Sequence, residues 1–422
     1  MSTVKKYIFV FACIVCSAKA WGQAAPSPYS TFGIGEPYGS GLVHNQGNGG
    51  MGVSQPQYWY LNNQNPALLV YNTLTIFGAG ILAERKTVSG DTTNEESTGG
   101  NMNYLVTAFP VKPGKWTTSL GLMPYTSVNY SFSYVADVIG SPDKVSVEEE
   151  GSGGPTQLYW SNGVRLNEDF AVGLKASYVF GAVVNRYKGR LINVGTPTNY
   201  YAVVEDKTYI KDFTFGLGGS FSKDSIGRKN YTLSIGAVYN LKADLKTRSS
   251  VQLFRETSLG DKIEGTSLDT VRGSISVPQS LVLGASFAKG TFWSVGTEFS
   301  YQDWSSFKSL SQDDEGLGKA WRMVVGGEIT PDPVAVESYF KRITYRTGVS
   351  YEQYPFLTNG KEVKDFGINF GLSLPAGRSS LDLAVKVGKR GDKKVNVLEE
   401  SYFKVYFGIT FNDQWFVKRK FD

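Results

Sequence analysis

The stretch DFGINFGLSL, residues Asp365–Leu374, carries the pattern on which the predicted fold depends. Large apolar side chains recur at every second position from Phe366 to Leu374, with small or polar residues between them. A period of two belongs to a β-strand with one apolar and one polar face, and helical spacing does not produce it. The stretch Ile343–Tyr351 repeats the pattern and places Arg346 on the polar face.

Fourteen runs of this kind follow the first 72 residues. They are Thr73–Arg85, Asn101–Pro110, Thr117–Tyr134, Thr156–Leu166, Phe170–Lys188, Thr208–Ser222, Tyr231–Arg248, Ser280–Lys289, Phe292–Trp304, Trp321–Thr330, Ile343–Tyr354, Lys364–Leu374, Ser379–Lys389 and Glu400–Asn412. An even number of runs with aromatic-rich apolar faces predicts an all-β fold, a transmembrane antiparallel β-barrel in the bacterial outer membrane. A secreted soluble β-sandwich also has alternating strands, but fourteen such runs are hard to accommodate in it.

The gaps between the runs alternate in length. Gaps after odd-numbered runs are mostly long and polar, such as Val135–Pro155 and Ser249–Gln279, and those after even-numbered runs are mostly short, such as Asn167–Asp169. Outer-membrane barrels have short periplasmic turns and longer external loops, so both chain ends are predicted to lie in the periplasm. In the longer even gap Pro331–Arg342, residues Val334–Arg342 are compatible with a short periplasmic helix.

The first twenty residues are predicted to be a signal peptide. Lys5 and Lys6 precede the apolar run Tyr7–Ala18, which ends in the small-residue pattern Ala18-Lys19-Ala20. Cleavage near Gln23 fits almost as well. The predicted organisation is therefore a signal peptide at 1–20, an N-terminal region at 21–72 and a barrel at 73–422 with a short periplasmic tail.

The composition argues against an enzyme. Both cysteines, Cys13 and Cys16, fall in the predicted signal peptide, and His44 is the only histidine. The usual nucleophile–base pairs and zinc ligand sets therefore cannot be assembled, and no catalytic residue, metal or cofactor is predicted. The formal charge of +5 loses three signal-peptide lysines, and 5 − 3 leaves +2, which is no signature of nucleic-acid binding.

The N-terminal region Trp21–Asn72 does not alternate and is rich in Gly, Asn, Gln and Pro. It contains Gly49-Gly50-Met51-Gly52-Val53 and, before the first strand, Asn65-Pro66-Ala67. Together these motifs resemble the hatch, or plug, of the FadL/TodX family of outer-membrane fatty-acid and hydrocarbon transporters. Asn-Pro alone also opens ordinary turns. The stretches Tyr301–Phe307, Val277–Leu281 and Tyr345–Tyr351 are similar to later-strand motifs of the same family.

The resemblance implies a 14-stranded barrel plugged by an N-terminal hatch, with Asn65, Pro66 and Ala67 in a gating role. It also implies a lateral opening at a kink in the third strand. The third run here contains Pro124, which cannot donate to a strand ladder and would interrupt pairing there. The alternative is that the strand ends at Met123 and Pro124 lies at the rim.

The resemblance further implies passive uptake of long-chain fatty acids or hydrocarbons, with a hydrophobic small molecule and outer-membrane lipids as partners. An acidic ligand would need a basic residue in the lumen. The inward candidates by strand phase are Lys175, Arg346 and Lys386, with Arg346 favoured because its guanidinium can bind a carboxylate bidentately. Alternatively, these residues pair with lumen acids such as Glu298 and Asp382.

A second class of function stays open on the sequence. The chain is also compatible with a non-transporting accessory barrel subunit of an outer-membrane protein secretion or assembly complex. The longest gap, Ser249–Gln279, and the basic tail Val417–Phe421 are the candidate docking elements. In either case the hatch predicts a plugged barrel rather than an open diffusion pore.

Overall fold

A computed structural model describes residues 23–39, 41–90, 94–192, 200–227, 231–310, 316–358 and 360–414, apart from the side chain of Asp269. The predicted signal peptide at 1–20 and the basic residues of the predicted tail lie outside these residues. Within them no helix is long and apolar enough to cross a membrane.

Nineteen strands make up most of the described chain. They are β1 (Glu36–Pro37), β2 (Thr75–Ser89), β3 (Asn94–Lys112), β4 (Trp116–Pro124), β5 (Thr126–Asp137), β6 (Lys144–Gly153), β7 (Thr156–Arg165), β8 (Phe170–Ile192), β9 (Tyr200–Ile226), β10 (Tyr231–Asn240), β11 (Ala243–Thr257), β12 (Lys262–Val277), β13 (Ser280–Lys289), β14 (Trp293–Asp303), β15 (Lys319–Ile329), β16 (Thr344–Thr358), β17 (Lys361–Ala376), β18 (Ser379–Gly391) and β19 (Glu399–Asp413). The helices are short: the 3-10 helices Pro28–Thr31 and Pro66–Tyr71, and the α-helices Val43–Gln46, Tyr339–Arg342 and Lys393–Asn396.

Fourteen of these strands close into an antiparallel barrel. They are β2, β3, β4, β7, β8, β9, β10 and β13 to β19, each paired with the next. The circle closes where β19 pairs with β2 along the whole of β2. Closure gives every wall strand a paired neighbour on both sides, which is how a membrane-spanning sheet satisfies most of its backbone groups. The predicted 14-stranded antiparallel barrel is confirmed.

Side chains alternate between the two faces of the wall as predicted. In β17, Phe366, Ile368 and Phe370 are exposed on the outer surface, whereas Asp365 and Asn369 are each 1 % exposed on the inner face. The outer apolar residues form a band of the kind found on outer-membrane barrels, and the inner polar residues contact other protein groups. The alternation in β17 therefore places its large apolar side chains on the outside of the barrel and its polar side chains on the inside.

Two hairpins raise the wall at the end that carries the long loops. The β5–β6 hairpin pairs with the upper part of β8 through β6, and the β11–β12 hairpin pairs with the upper part of β9 through β11. The sequence predicted loops at 135–155 and 249–279, and both predictions were wrong for most of these residues. The apolar alternation is missing there because no lipid covers a strand above the membrane. The helix considered at 334–342 is confined to Tyr339–Arg342.

Candidate functional site

The N-terminal segment, defined here as residues 23–72, lies against a row of glycines on the inner face of the wall. A Cβ atom added to Gly163, Gly173 or Gly218 would overlap Asn65 or Pro66 of the segment. Segment atoms also lie within 3.2 Å of a Cβ added at Gly236, Gly284, Gly296, Gly326, Gly348, Gly371 or Gly408. We call these ten residues, one on each of ten strands, the glycine belt. The segment therefore packs directly on the backbone of the wall, where a larger residue would not fit.

Asn65, Pro66 and Ala67 form one of the close parts of this contact. The Asn65 side chain accepts a hydrogen bond from the Ala67 N–H (3.0 Å) and so caps the 3-10 helix Pro66–Tyr71. Its amide nitrogen donates to the carbonyl oxygens of Val53 (2.8 Å) and Gly219 (3.0 Å). These bonds anchor the segment both to itself and to β9. The gating role expected of the motif stays a prediction.

The Gly-rich loop of the segment is held by a carboxylate of the wall. Glu298 on β14, 5 % exposed, accepts hydrogen bonds from the backbone N–H groups of Gly52 (3.0 Å) and Val53 (2.9 Å). Arg322 on β15 donates to the carbonyl oxygen of Gly49. Burial without such partners would be costly for a carboxylate, so the loop and the wall stabilise each other.

Arg346 lies at the inner wall as predicted and is paired inside the protein. Its guanidinium donates to Glu328 (2.8 Å) and lies 5.3 Å from the ring centroid of Tyr60. Tyr60 in turn stacks on His44, with 4.5 Å between ring centroids. The acid that binds Arg346 is thus Glu328 on the neighbouring strand.

Lys175 and Lys386 also have protein partners. The ammonium group of Lys175 donates to the backbone oxygen (3.2 Å) and the side-chain oxygen (3.0 Å) of Asn63 in the N-terminal segment. Lys386 pairs with Asp365 at 3.7 Å. The three predicted ligand candidates therefore lie on the inner face but apart from one another, each held by its own neighbours. Their binding to a ligand stays a prediction.

His44 is buried in the segment, and its surroundings disfavour a proton. Burial, followed by the positive charge of Arg346, holds the pKa of His44 well below its usual value near 6.5. The native protein therefore keeps this imidazole neutral at pH values where an unfolded chain binds a proton.

We expect the stability of the protein to fall as the pH drops below about 6.5 through this residue. The depressed native pKa means that only the unfolded state gains a proton, so the loss approaches about 1.4 kcal/mol per pH unit. Urea unfolding of the wild type and of His44→Gln between neutral and mildly acidic pH measures it. The wild type should show the steeper dependence. Parallel curves would contradict the assignment of this pH dependence to His44. No other histidine can contribute, because the chain has one.

The third wall strand is interrupted at Pro124. Strand β4 ends at Pro124, and β5 begins at Thr126. Below this point β4 pairs with both β3 and β7, and above it β5 pairs with β6. The upper part of β3, residues 94–104, pairs with β2 but with no other described strand. The wall therefore has a break between upper β3 and β5.

The N-terminal segment bridges this break. The Gly100 N–H of β3 donates to the carbonyl oxygen of Gln23 (3.0 Å), and the Ser27 N–H donates to Asn129 of β5 (2.8 Å). Further along, β1 pairs with the start of β5. Residues 23–38 thus take the place that a strand would occupy between β3 and β5.

A buried ion network fixes the same part of the segment. The guanidinium of Arg390, 2 % exposed, contacts Glu36 at 2.6 Å, Asp365 at 3.4 Å and Glu400 at 3.7 Å. Lys86 contacts Glu36 at 3.5 Å. Burial opposes ionisation of Glu36, but Arg390 and Lys86 outweigh it and hold the pKa of Glu36 well below its usual value. The network joins the segment to β2, β17, β18 and β19.

Aromatic side chains cover the segment at the outer mouth. Tyr29 and Phe32 of the segment stack on Phe356 at the top of β16, at centroid distances of 5.3 and 5.1 Å. Trp304 and Phe307, in the loop after β14, belong to the same buried cluster. The external mouth is therefore packed with apolar groups over the segment.

A cavity of about 60 Å³ lies between the segment and the wall near the break. Its lining includes Glu36, Glu84, Lys86 and Lys404. Sites for drug-sized ligands usually measure about 300–1,000 Å³ and are mostly apolar, so this charged cavity suits a few water molecules. Among the described residues, no three His, Cys, Asp or Glu side chains are grouped to hold a metal ion.

The closed wall and its outer apolar band define an outer-membrane β-barrel, here with an N-terminal segment packed inside. Residues 3–422 match the BamG protein family, and the chain belongs to that family. No curated protein shows significant sequence similarity to it.

Several solved structures of channels and transporters have a similar fold. The CymD monoaromatic hydrocarbon channel aligns with a TM-score of 0.59 at 14% identity, over 89% of this chain and 98% of that one. The Pseudomonas putida toluene transporter TodX aligns with a TM-score of 0.58 at 14% identity, over 91% of this chain and 100% of that one. A Pseudomonas aeruginosa FadL homologue aligns with a TM-score of 0.55 at 13% identity, over 88% of this chain and 97% of that one. The resemblance noted in the sequence is confirmed for the fold. Sequence identities this low do not indicate which substrate, if any, this chain shares with these proteins.

Proposed function

We propose that this protein is a non-catalytic accessory barrel subunit of an outer-membrane protein assembly complex. The observation that carries the proposal is the packing of the N-terminal segment on the glycine belt, because it places protein against the inner face of ten wall strands. The family name BamG points to the same process. In this role residues 23–72 act as a permanent plug, and the barrel serves as a membrane-embedded scaffold.

The energetics of the segment favour a permanent plug over a moving hatch. Opening a path beside β3 would separate Arg390 and Lys86 from Glu36 and would expose Tyr29. Breaking a buried ion pair costs about 3–5 kcal/mol when one charge is left without its partner. Several such contacts would have to open together, which makes an easily displaced hatch unfavourable.

The raised β11–β12 hairpin supplies a surface suited to a protein partner. Among the described strands, β12 pairs with β11 alone, so no described strand covers its other edge. Ile263, Leu268 and Val271 are each about half exposed on this strand (51 %, 50 % and 52 %). Long unprotected edges promote strand addition by another chain, and soluble proteins normally cover them. An extended segment of a complex subunit would fit this edge.

Shortening the β11–β12 hairpin tests the proposal. Ser250 and Thr270 lie directly opposite each other, so residues 251–269 can be replaced by an Asn-Gly turn without changing the register below. We expect a folded barrel whose recovery with the assembly complex falls about tenfold, equivalent to about 1.4 kcal/mol. Shortening the β5–β6 hairpin beyond the opposed pair Tyr134 and Val147 is the matched control. Equal recovery of both variants with the complex would contradict a docking role for β12.

Passage of a hydrophobic small molecule is the second candidate, and the wall break at Pro124 favours it. In that account a fatty acid or hydrocarbon displaces residues 23–38 and leaves between β3 and β5. Asn65, Pro66 and Ala67 would then act as the hatch, and Lys175, Arg346 or Lys386 would meet an acidic ligand. Transfer of each methylene from water to lipid would drive uptake by about 0.8 kcal/mol.

Pro124→Val separates the two candidates. Valine restores a ladder donor at the break, so a transport route there should narrow and uptake of fatty acids or hydrocarbons should fall. We expect uptake to be the same in cells carrying wild type, Pro124→Val or no copy of the gene. We also expect outer-membrane protein assembly to fail only without the gene. Loss of uptake in the deletion strain that wild type restores and Pro124→Val does not would support transport instead.

A further inference from the structure

A group of basic side chains lies on the outer surface of the wall where β9, β11 and β12 rise from the barrel. Lys246 on β11 stands directly opposite Lys211 on β9. Arg248, two residues further along β11, stands opposite Tyr209 on β9 and Arg272 on β12. Directly opposed residues in a sheet project from the same face, so these side chains form one group. We call Lys211, Lys246, Arg248 and Arg272 the outer basic cluster.

The burial pattern shows that this face points away from the lumen. In β11, Leu245, Thr247 and Ser249 are buried, and the residues between them, Lys246 and Arg248, are exposed. Lys211 and Arg272 are exposed as well. The outer basic cluster therefore faces the surroundings of the barrel.

The height of the cluster is fixed by the apolar band beneath it. Phe170, Val172, Leu174 and Phe180 of β8 are exposed on the outer surface, and Phe180 is opposite Lys211. Ten residues of strand span about 33 Å, or about 25 Å in height at a tilt near 40°, which matches the apolar band of an outer-membrane barrel. Lys211 therefore lies at the upper edge of the band, at the level of the lipid headgroups.

The cluster is rich in positive charge with little internal compensation. Lys246 forms an ion pair with Asp212 at 3.5 Å. The nearby Asp244 pairs with Lys242, which is outside the cluster, at 3.9 Å. The other three members form no ion pair with a described acidic side chain. Like charges directly opposite each other, such as Lys211 and Lys246, destabilise a sheet. This arrangement favours an anion that bridges the strands.

We propose that the outer basic cluster binds the phosphate groups of a phosphorylated glycolipid in the outer leaflet. Arginine binds phosphate oxygens bidentately, and surface cations attract anionic headgroups. Tyr178 and Phe213, with ring centroids 5.0 Å apart, lie one step below the cluster and provide an aromatic surface for the lipid just under its headgroup. The site is separate from the lumen and from the plug.

The test uses the full chain in detergent with added lipid A that carries two phosphates, followed by native mass spectrometry. Lys211→Gln/Arg248→Gln removes two cluster charges, and Lys361→Gln/Lys364→Gln removes two exposed charges on β17 as the control. At about 1 kcal/mol per cation, the first variant should bind about 20- to 30-fold more weakly, and the control should bind like wild type. The altered gel migration of unheated barrel confirms that each variant is folded.

Two further arms identify the source of the phosphate. Removing the phosphates from the lipid should weaken binding as much as removing the charges from the protein. Wild type should therefore bind dephosphorylated lipid A no more tightly than Lys211→Gln/Arg248→Gln binds phosphorylated lipid A. Inorganic phosphate at the same concentration should not compete. Equal binding by wild type and Lys211→Gln/Arg248→Gln would overturn the proposal. Retention of dephosphorylated lipid, or displacement by inorganic phosphate, would overturn it as well.

Discussion

Replacing Arg390 by methionine is expected to lower the free energy of unfolding by about 3–5 kcal/mol. The change removes the cation shared by Glu36, Asp365 and Glu400 while these carboxylates stay buried. Methionine fills similar space, so lost packing contributes little, and uncompensated charge dominates the effect. Because Glu36 belongs to the N-terminal segment, the segment should also become accessible to protease before the barrel unfolds.

The matched control is Arg378→Met. Arg378 pairs with Asp413 at 3.2 Å, but the two side chains are 66 % and 63 % exposed. Exposed ion pairs contribute under about 1 kcal/mol, so the stability should hardly change. Urea unfolding and limited proteolysis of both variants in the same detergent make the comparison. Similar losses for the two variants would show that the network does not hold the segment.

Replacing Gly218 by alanine is expected to cost about 1–3 kcal/mol, although only one methyl group is added. The new Cβ would overlap the side-chain oxygen of Asn65 and the ring of Pro66. The anchor of the N-terminal segment must then shift or the wall strand must bend. We expect a lower unfolding midpoint together with faster proteolysis near residue 65.

Gly219 supplies the control one residue away. A Cβ at Gly219 meets nothing within 4 Å, so Gly219→Ala carries the same change in unfolded-chain entropy without the overlap. Its stability should equal or slightly exceed that of wild type. If Gly218→Ala and Gly219→Ala had the same unfolding midpoint and the same rate of proteolysis, the N-terminal segment would not pack closely on the wall at Gly218.

The barrel could be predicted from sequence because lipid imposes its pattern on each wall strand independently. The runs at 170–188 and 364–374 need only their own alternation to be recognised, and every barrel strand overlaps a predicted run. The runs 117–134 and 231–248 were each predicted as one strand, but each continues past the end of a wall strand into a second strand, β5 and β11. Strand β6 was missed because its outer face meets water and its sequence, KVSVEEEGSG, carries polar residues at most positions. The interruption of the strand at Pro124 was predicted from the missing donor of proline, and the lateral opening there stays a prediction.

The contacts inside the lumen could be anticipated only in part. Inward charges at Lys175, Arg346 and Lys386 follow from strand phase, but their partners depend on which strands become neighbours. The Gly52–Glu298 bond joins residues 246 positions apart, and nothing local in the sequence indicates it. The role of Arg390 was missed because Glu36 lies 354 positions away, and because Asp365 and Glu400 come opposite Arg390 only through the register of the paired strands. The glycine belt is visible only once the strands are aligned.

The measurement that tests the account most directly is purification of the tagged full chain from native outer membranes in a mild detergent. An accessory barrel with a permanent plug should elute with the other subunits of the assembly complex in a fixed ratio. Cells that lack it should take up fatty acids and hydrocarbons normally. A protein that elutes alone, from cells whose hydrocarbon uptake depends on it, would contradict the account.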